Sequence, residues 1–205
     1  GVAVTGLLPR AGLAPTEVAA ATTATVTRIR AAANEIAGTS DWESITGRFR
    51  SAVHRHPGRA AVTDVDGTSM TYRDLDDRSD QLAAALVAAG AGPEILVGVA
   101  LPRTATMVVT LVAVLKSGAG YLPLDRSHPV ARLHGIVTDA QPLLIVTDSE
   151  TTASWDRLGV PLTTVADLVP DELDAAAGDR SDALPARIDG RHPAYVMYTS
   201  GSVSY

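Results

Sequence analysis

The chain has 205 residues, 17 Lys and Arg against 23 Asp and Glu, a formal net charge of -6 and no cysteine. A mildly acidic balance without basic runs excludes sequence-independent binding to nucleic acid or an anionic membrane surface, and the lack of cysteine excludes disulfides, thiolate catalysis and Cys-type zinc sites. The only lysine, Lys116, lies between Leu115 and Ser117, which excludes a Walker A loop, since that loop needs Lys after Gly and before Ser or Thr. The length fits one domain, or one domain plus an appendage. The longest apolar stretch, residues 107–115, is about half of the roughly 20 residues needed to span a membrane. No basic segment leads into an apolar one near the N-terminus, so a cytoplasmic protein is expected. The chain starts at Gly1 and stops at Tyr205 after a Ser/Gly-rich loop, and both ends are expected to be cut.

Residues 1–15 show no period. Over 16–36, Val18, Thr22, Thr25, Ile29, Ala32 and Ile36 recur at spacings of three and four, which predicts a helix capped by Thr16 and stopped at Gly38. A boundary near 38–40 divides the chain into a helical appendage, residues 1–40, and a main domain, residues 41–205. The main domain opens with a helix from 41, with Trp42, Ile45, Phe49 and Val53 on one face, ending before Pro57-Gly58. Strands are predicted at 60–65 and 69–71 around the Asp66-Gly67 turn. Thr71 and Asp74 form a capping-box pattern, and the helix they open should turn Leu75, Leu82, Leu86 and Ala89 inward and stop at Gly90.

Residues 95–101 form a continuous apolar run, as a strand buried on both faces requires. A helix over 104–116, a strand at 121–124, a helix opening with Pro129 in its first position and a strand at 143–147 follow. This strand–helix alternation predicts an α/β fold with a mostly parallel, doubly wound sheet flanked by helices. Residues 167–189 carry seven acids against two arginines and read as a solvated loop with one short helix. The last strand is expected at 194–198.

Several candidate sites have simpler readings. Gly118-Ala119-Gly120 lacks the third fingerprint glycine, since Pro123 stands there, and it follows a helix, so it reads as a tight turn. Asp74, Asp76, Asp77 and Asp80 crowd one helix start. Asp76 and Asp80 could share a cation, but the expected role is a solvated set favouring the helix dipole. Asp64, Asp66 and Gly67 fail the EF-hand spacing. His54, His56, His128, His134 and His192 show no metal-ligand spacing. Ser200 follows Tyr198-Thr199 and does not form a Gly-x-Ser-x-Gly elbow. The loop Thr199, Ser200, Gly201 and Ser202 differs in kind. Small hydroxyl residues and a glycine directly after a buried strand can converge N–H and Oγ donors on phosphate oxygens.

Three segments occur in order: Met70-Thr71-Tyr72-Arg73-Asp74-Leu75, then Leu115-Lys116-Ser117-Gly118-Ala119-Gly120-Tyr121-Leu122-Pro123-Leu124-Asp125 continuing into His128-Pro129 and Arg132-Leu133, then Tyr195-Val196-Met197-Tyr198-Thr199-Ser200-Gly201-Ser202. Together they resemble the first core motifs of adenylation domains from nonribosomal peptide synthetases, members of the AMP-binding, acyl-adenylate-forming superfamily. The resemblance implies that residues 41–205 are the N-terminal portion of such a domain, and residues 1–40 the linker or tail of a preceding, condensation-type domain. It implies ATP and Mg2+ as cofactors, an amino-acid substrate, and a phosphopantetheine-bearing carrier (thiolation) domain and a condensation domain as partners. It also implies phosphate binding by Thr199, Ser200, Gly201 and Ser202. The family's phosphate loop goes on to a lysine that Val203-Ser204-Tyr205 does not supply, so no catalytic residue is expected within this stretch and the chain alone is expected to be inactive. Lys116 is expected to be a helix-end cation, without a catalytic role. Two alternatives stand beside this reading: a non-catalytic remnant serving as a scaffold, and part of an acyl- or aryl-CoA ligase.

Overall fold

The computed structural model describes residues 44–169, 184 and 188–199. The helix expected over 16–36, its boundary near 38–40, and most of the acidic stretch lie outside these residues.

The first helix, α1 (Ile45–Arg55), starts later than expected. Ser44 caps it, its Oγ accepting from the Gly47 N–H at 3.0 Å. Thr46 takes the inward position, with its hydroxyl 3.0 Å from that of Ser44, while Ile45 is 58% exposed. Phe49 packs against the core as expected.

Strands β1 (Ala60–Thr63) and β2 (Ser69–Thr71) pair antiparallel. β1 ends before the expected 65 because Asp64 and Asp66 turn the chain. The Asp64 N–H donates to the Thr68 carbonyl at 2.8 Å, and Gly67 adopts φ 86°, a conformation that favours glycine. Asp64 does a second job. Its Oδ2 accepts the Ala105 N–H at 3.0 Å, capping a helix whose own N-cap, Thr104, makes no side-chain cap bond.

Helix α2 (Tyr72–Ala88) is opened by the predicted capping box. The Asp74 N–H donates to Thr71 Oγ1 at 3.2 Å, and the Thr71 N–H donates to Asp74 Oδ2 at 3.0 Å. We expect Thr71→Ala to destabilise the chain by about 1 kcal/mol in urea unfolding, because the Asp74 N–H loses its acceptor while the residue-71 N–H keeps the Asp74 carboxylate. The helix buries Leu75, Ser79, Leu82, Ala83 and Leu86. Ala89, expected inward, is instead the exposed C-cap. There the Ala91 N–H bonds back to Leu86 and the Gly90 N–H to Val87, with Gly90 at φ 103°, a Schellman ending.

Then come β3 (Leu96–Ala100), α3 (Ala105–Lys116), β4 (Gly120–Pro123), α4 (Val130–Ala140), β5 (Ile145–Thr147), α5 (Ser149–Trp155), a 3-10 turn (Asp156–Leu158), β6 (Leu162–Thr164) and α6 (Val165–Leu168). Pro129 is the N-cap of α4, one position before the first helical residue. The four strands are all parallel in the order β4-β3-β5-β6. The chain leaves β3 for β4 on one side and crosses back to β5 on the other. The period of two in the strands divides the core. Val97, Val99 and Val146 join α2 and α3 on one face, while Ala100, Leu122 and Ile145 join α4, Trp155 and Leu158 on the other. The fold is the expected doubly wound α/β layer structure.

The segment expected as the last strand runs alongside β4 but forms only one bridge, parallel, between Tyr121 and Tyr195.

Candidate functional site

The site grows from the free side of β4. The Tyr121 N–H donates to the Ala194 carbonyl and the Val196 N–H to the Tyr121 carbonyl, each at 3.0 Å. The Tyr121 and Tyr195 rings stack with centroids 5.5 Å apart. Gly120 permits this approach, because a Cβ there would lie 2.9 Å from the Pro193 carbonyl oxygen. Upstream, His192 Nδ1 hydrogen-bonds the Glu94 carboxylate, tying the segment's start to the loop before β3.

Alternation along the segment decides which side chains face the protein. Val196 and Tyr198 pack onto the α4 side of the core, and Tyr195 and Met197 point outward, 53% and 64% exposed. The Tyr198 hydroxyl donates to Asp139 Oδ2 on α4. Burial first, and then this bond, push the Tyr198 phenol up to about 12, so it remains a donor at neutral pH. Arg132, also on α4, donates from Nη2 to the Thr199 carbonyl at 3.4 Å. Thr199 is thus delivered, exposed, at the carboxyl end of a segment added beside β4. Ser200, Gly201 and Ser202 lie outside the described residues. Carboxyl ends of parallel strands are where open α/β sheets gather ligands, because loops to both faces diverge there.

The same end of the sheet carries an open recess lined by Asp125, Arg126, Ser127, Glu150, Thr151 and Trp155. The Ser127 hydroxyl and N–H donate to Asp125 Oδ1 at 2.7 and 2.8 Å and hold that carboxyl below the usual range. Arg126 Nη1 reaches Asp148 Oδ2 at 2.9 Å. Burial pushes Asp148 up, but bonds from Thr151 and the Arg126 charge outweigh it and leave the carboxyl lowered.

Lys116 is the helix-end cation expected, in the last turn of α3, but it is buried, only 1% exposed. Its Nζ lies 2.6 Å from both Asp76 Oδ1 and Asp80 Oδ1 and 3.0 Å from the Asp76 carbonyl oxygen. Asp76 and Asp80 are therefore not merely solvated dipole partners; they share a cation, and the cation is the chain's own lysine. The ammonium also stands 5.3 Å from the Phe49 ring centre. This cluster joins α1, α2 and α3, and it belongs to the scaffold. Gly118, at φ 86°, makes the tight turn expected of it.

A Mg2+ ion is implied by the resemblance. Among the described residues, no group of three or more His, Cys, Asp or Glu side chains could hold a metal. These residues offer no cage of their own for the ion.

The family described as AMP-binding enzyme matches residues 49–204. The chain belongs to this family. It is 45% identical over 156 residues to a probable non-canonical nonribosomal peptide synthetase, CymA, of Salinispora arenicola, covering 71% of this chain and 2% of that protein. It is 36% identical over 170 residues to the dimodular nonribosomal peptide synthase of Bacillus subtilis, covering 82% of this chain and 7% of that one. The nonribosomal peptide synthetase FmoA3, solved in an α-methyl-L-serine-AMP-bound form, superimposes with a TM-score of 0.65 at 25% identity, covering 75% of this chain and 17% of that chain. The chain thus spans only a small part of the relatives it matches. Among the described residues, no helix is long and apolar enough to cross a membrane.

The AMP-binding assignment gives the three sequence motifs distinct places. The first is the capping box of α2, and the second is the α3–β4 turn together with the opening of α4. The third is the segment bonded to β4. Sequence reasoning missed Asp139 and Arg132 as partners of the third motif, although Arg132 stood within the second. The available signal was the acid at 139 on the α4 surface two turns beyond Arg132.

Proposed function

We propose that this chain supplies the phosphate-handling edge of an enzyme that activates an amino acid with ATP for nonribosomal peptide synthesis. A carboxylate oxygen of the amino acid attacks the α-phosphorus of ATP. The bond from that phosphorus to the bridging oxygen breaks, and pyrophosphate leaves with the electron pair. The thiol of a phosphopantetheine on a carrier domain then attacks the acyl carbonyl, forming a thioester and releasing AMP. The observation that carries this reading is the hydroxyl- and glycine-bearing loop beginning at Thr199, off the end of a segment bonded to β4, in a chain of the AMP-binding family. Thr199, Ser200, Gly201 and Ser202 donate to the departing phosphates. Preorganised donors aimed at developing charge stabilise the transition state without reorganising during the reaction.

Residues 1–40 are assigned to the connection from a preceding, condensation-type domain, and residues 41–205 to the adenylating unit. Mg2+ accompanies ATP, and the work takes place in the cytoplasm. The intact synthetase should catalyse amino-acid-dependent exchange of labelled pyrophosphate into ATP, while the 205-residue chain alone should catalyse none. Exchange by the chain alone would overturn the need for the lysines and pockets the family places downstream. AMP release that depends on CoA and a carboxylic acid, without amino-acid-dependent exchange, would favour a CoA ligase.

A further inference from the structure

The 194–198 segment is held to the sheet at one place. Both of its backbone bonds to β4 meet Tyr121. Among the described residues, no backbone hydrogen bond ties Met197 or Tyr198 to β4. Beyond Val196 the chain is instead gripped by side chains of α4. Asp139 takes the Tyr198 hydroxyl, and Arg132 gives Nη2 to the Thr199 carbonyl. These two residues are seven apart, two helical turns, and so share one face of α4. The helix itself is fixed, with Leu133, Ile136 and Val137 buried against the sheet. Arg132 has no carboxylate partner among the described residues, and its Nε is buried without an acceptor. An unfilled buried donor is unfavourable, so its position is not explained by its own hydrogen bonding.

We infer that α4 is a positioning platform at the entry to the phosphate loop, with Asp139 and Arg132 fixing Tyr198 and Thr199. This rests on the phosphate-binding reading of that loop. Neither residue touches substrate; each acts through the backbone or ring just before the loop. A loop that must converge several donors on one phosphate loses effectiveness steeply with small displacements. The grip therefore acts on ATP and pyrophosphate, and leaves amino-acid binding alone.

Two measurements test this. In the intact synthetase, Tyr198→Phe and Asp139→Ala should each lower pyrophosphate exchange by about tenfold or more through kcat and the KM for ATP. The amino-acid KM should hold, the double variant should fall no further than either single one, and Asp139→Asn should restore most of the activity because its amide oxygen still accepts. Additive losses, an unchanged ATP dependence, or no rescue by asparagine would overturn the inference. Amide hydrogen exchange in the full chain supplies the second readout. Tyr198→Phe should speed exchange at 199–202 and leave 133–137 of α4 protected. Equal protection at 199–202 overturns the platform, and so does loss of protection in α4, since the helix would then depend on the tyrosine. A wild-type synthetase without pyrophosphate exchange refutes the proposed function, and the hydrogen-exchange result still decides the platform.

Discussion

Replacing Asp76 and Asp80 together by asparagine should destabilise the chain by about 3–5 kcal/mol, because it leaves a buried ammonium without a counter-charge. Lys116 is 1% exposed and receives both carboxylates at 2.6 Å. Asparagine keeps an acceptor at each position and removes only the charge. The Phe49 ring face and the Asp76 carbonyl are dipolar partners and cannot replace two anions. Adding Lys116→Met should restore stability to within about 1 kcal/mol of the parent, since a buried ion cluster replaced by apolar packing of similar volume is often neutral. The urea midpoint and slope for the double and triple variants check both statements. A double variant as stable as the parent would show that water reaches the ammonium.

The cluster also has a pH signature. Burial holds the Asp80 carboxyl above its ordinary value, against the pull of Lys116. A group raised in the folded state contributes stability below its unfolded value of 3.8 and loses it as pH rises through the folded one, so Asp80 opposes acid unfolding. Asp74 and Asp167 behave oppositely. Bonds from Thr71 and Thr164 hold them below 3.8, and their contribution disappears as pH falls through that lower range. Stability should therefore decline in acid below 3.8, and more steeply for Asp80→Asn than for the parent, as urea midpoints across that range will show.

Local grammar was the legible part of the sequence. Thr71 and Asp74 are three apart and need only each other, so the cap and the start of α2 could be read directly. The same pattern at Thr164 and Asp167, with both halves of the box formed, passed unread because the acidic stretch beginning there suggests solvated loop. The apolar run through Leu96 and Ala100 announced a strand buried on both faces, and with the strand–helix alternation it gave the layer structure. Contacts across the sequence were illegible. Asp76 and Asp80 sharing a cation was a readable geometry, but the cation lies 40 and 36 residues away. Likewise the motif placed Thr199 at the end of a strand, while Asp139 meets Tyr198 across 59 residues and Arg132 meets Thr199 across 67. Ile45 failed for a smaller reason: it is the first residue of α1, at the helix end, where its neighbour Thr46 packs inward instead.

Two glycines of the sheet should separate stability from activity. At Gly98, in the strand between β4 and β5, an added Cβ would stand 2.8 Å from Ile145 Cγ1 and 3.3 Å from Leu124 Cδ1. Ile145 is fully buried and β-branched, so it cannot swing aside, and Gly98→Val should destabilise by about 3 kcal/mol or more in urea unfolding. At Gly120 the nearest atom is the Pro193 carbonyl oxygen, 2.9 Å from an added Cβ. There the obstacle is backbone, but backbone of a segment held to β4 by two hydrogen bonds and open on its outer face. Gly120→Ala should therefore yield by pushing residues 193–196 off β4, at an expected stability cost of about 1–2 kcal/mol. That movement is transmitted to Tyr198 and Thr199, so pyrophosphate exchange in the intact synthetase should fall by about a hundredfold, the penalty of misplacing a preorganised site by an ångström. The reverse ranking, with Gly120→Ala nearly silent in exchange, would mean that the loop takes its position from elements beyond β4 and α4.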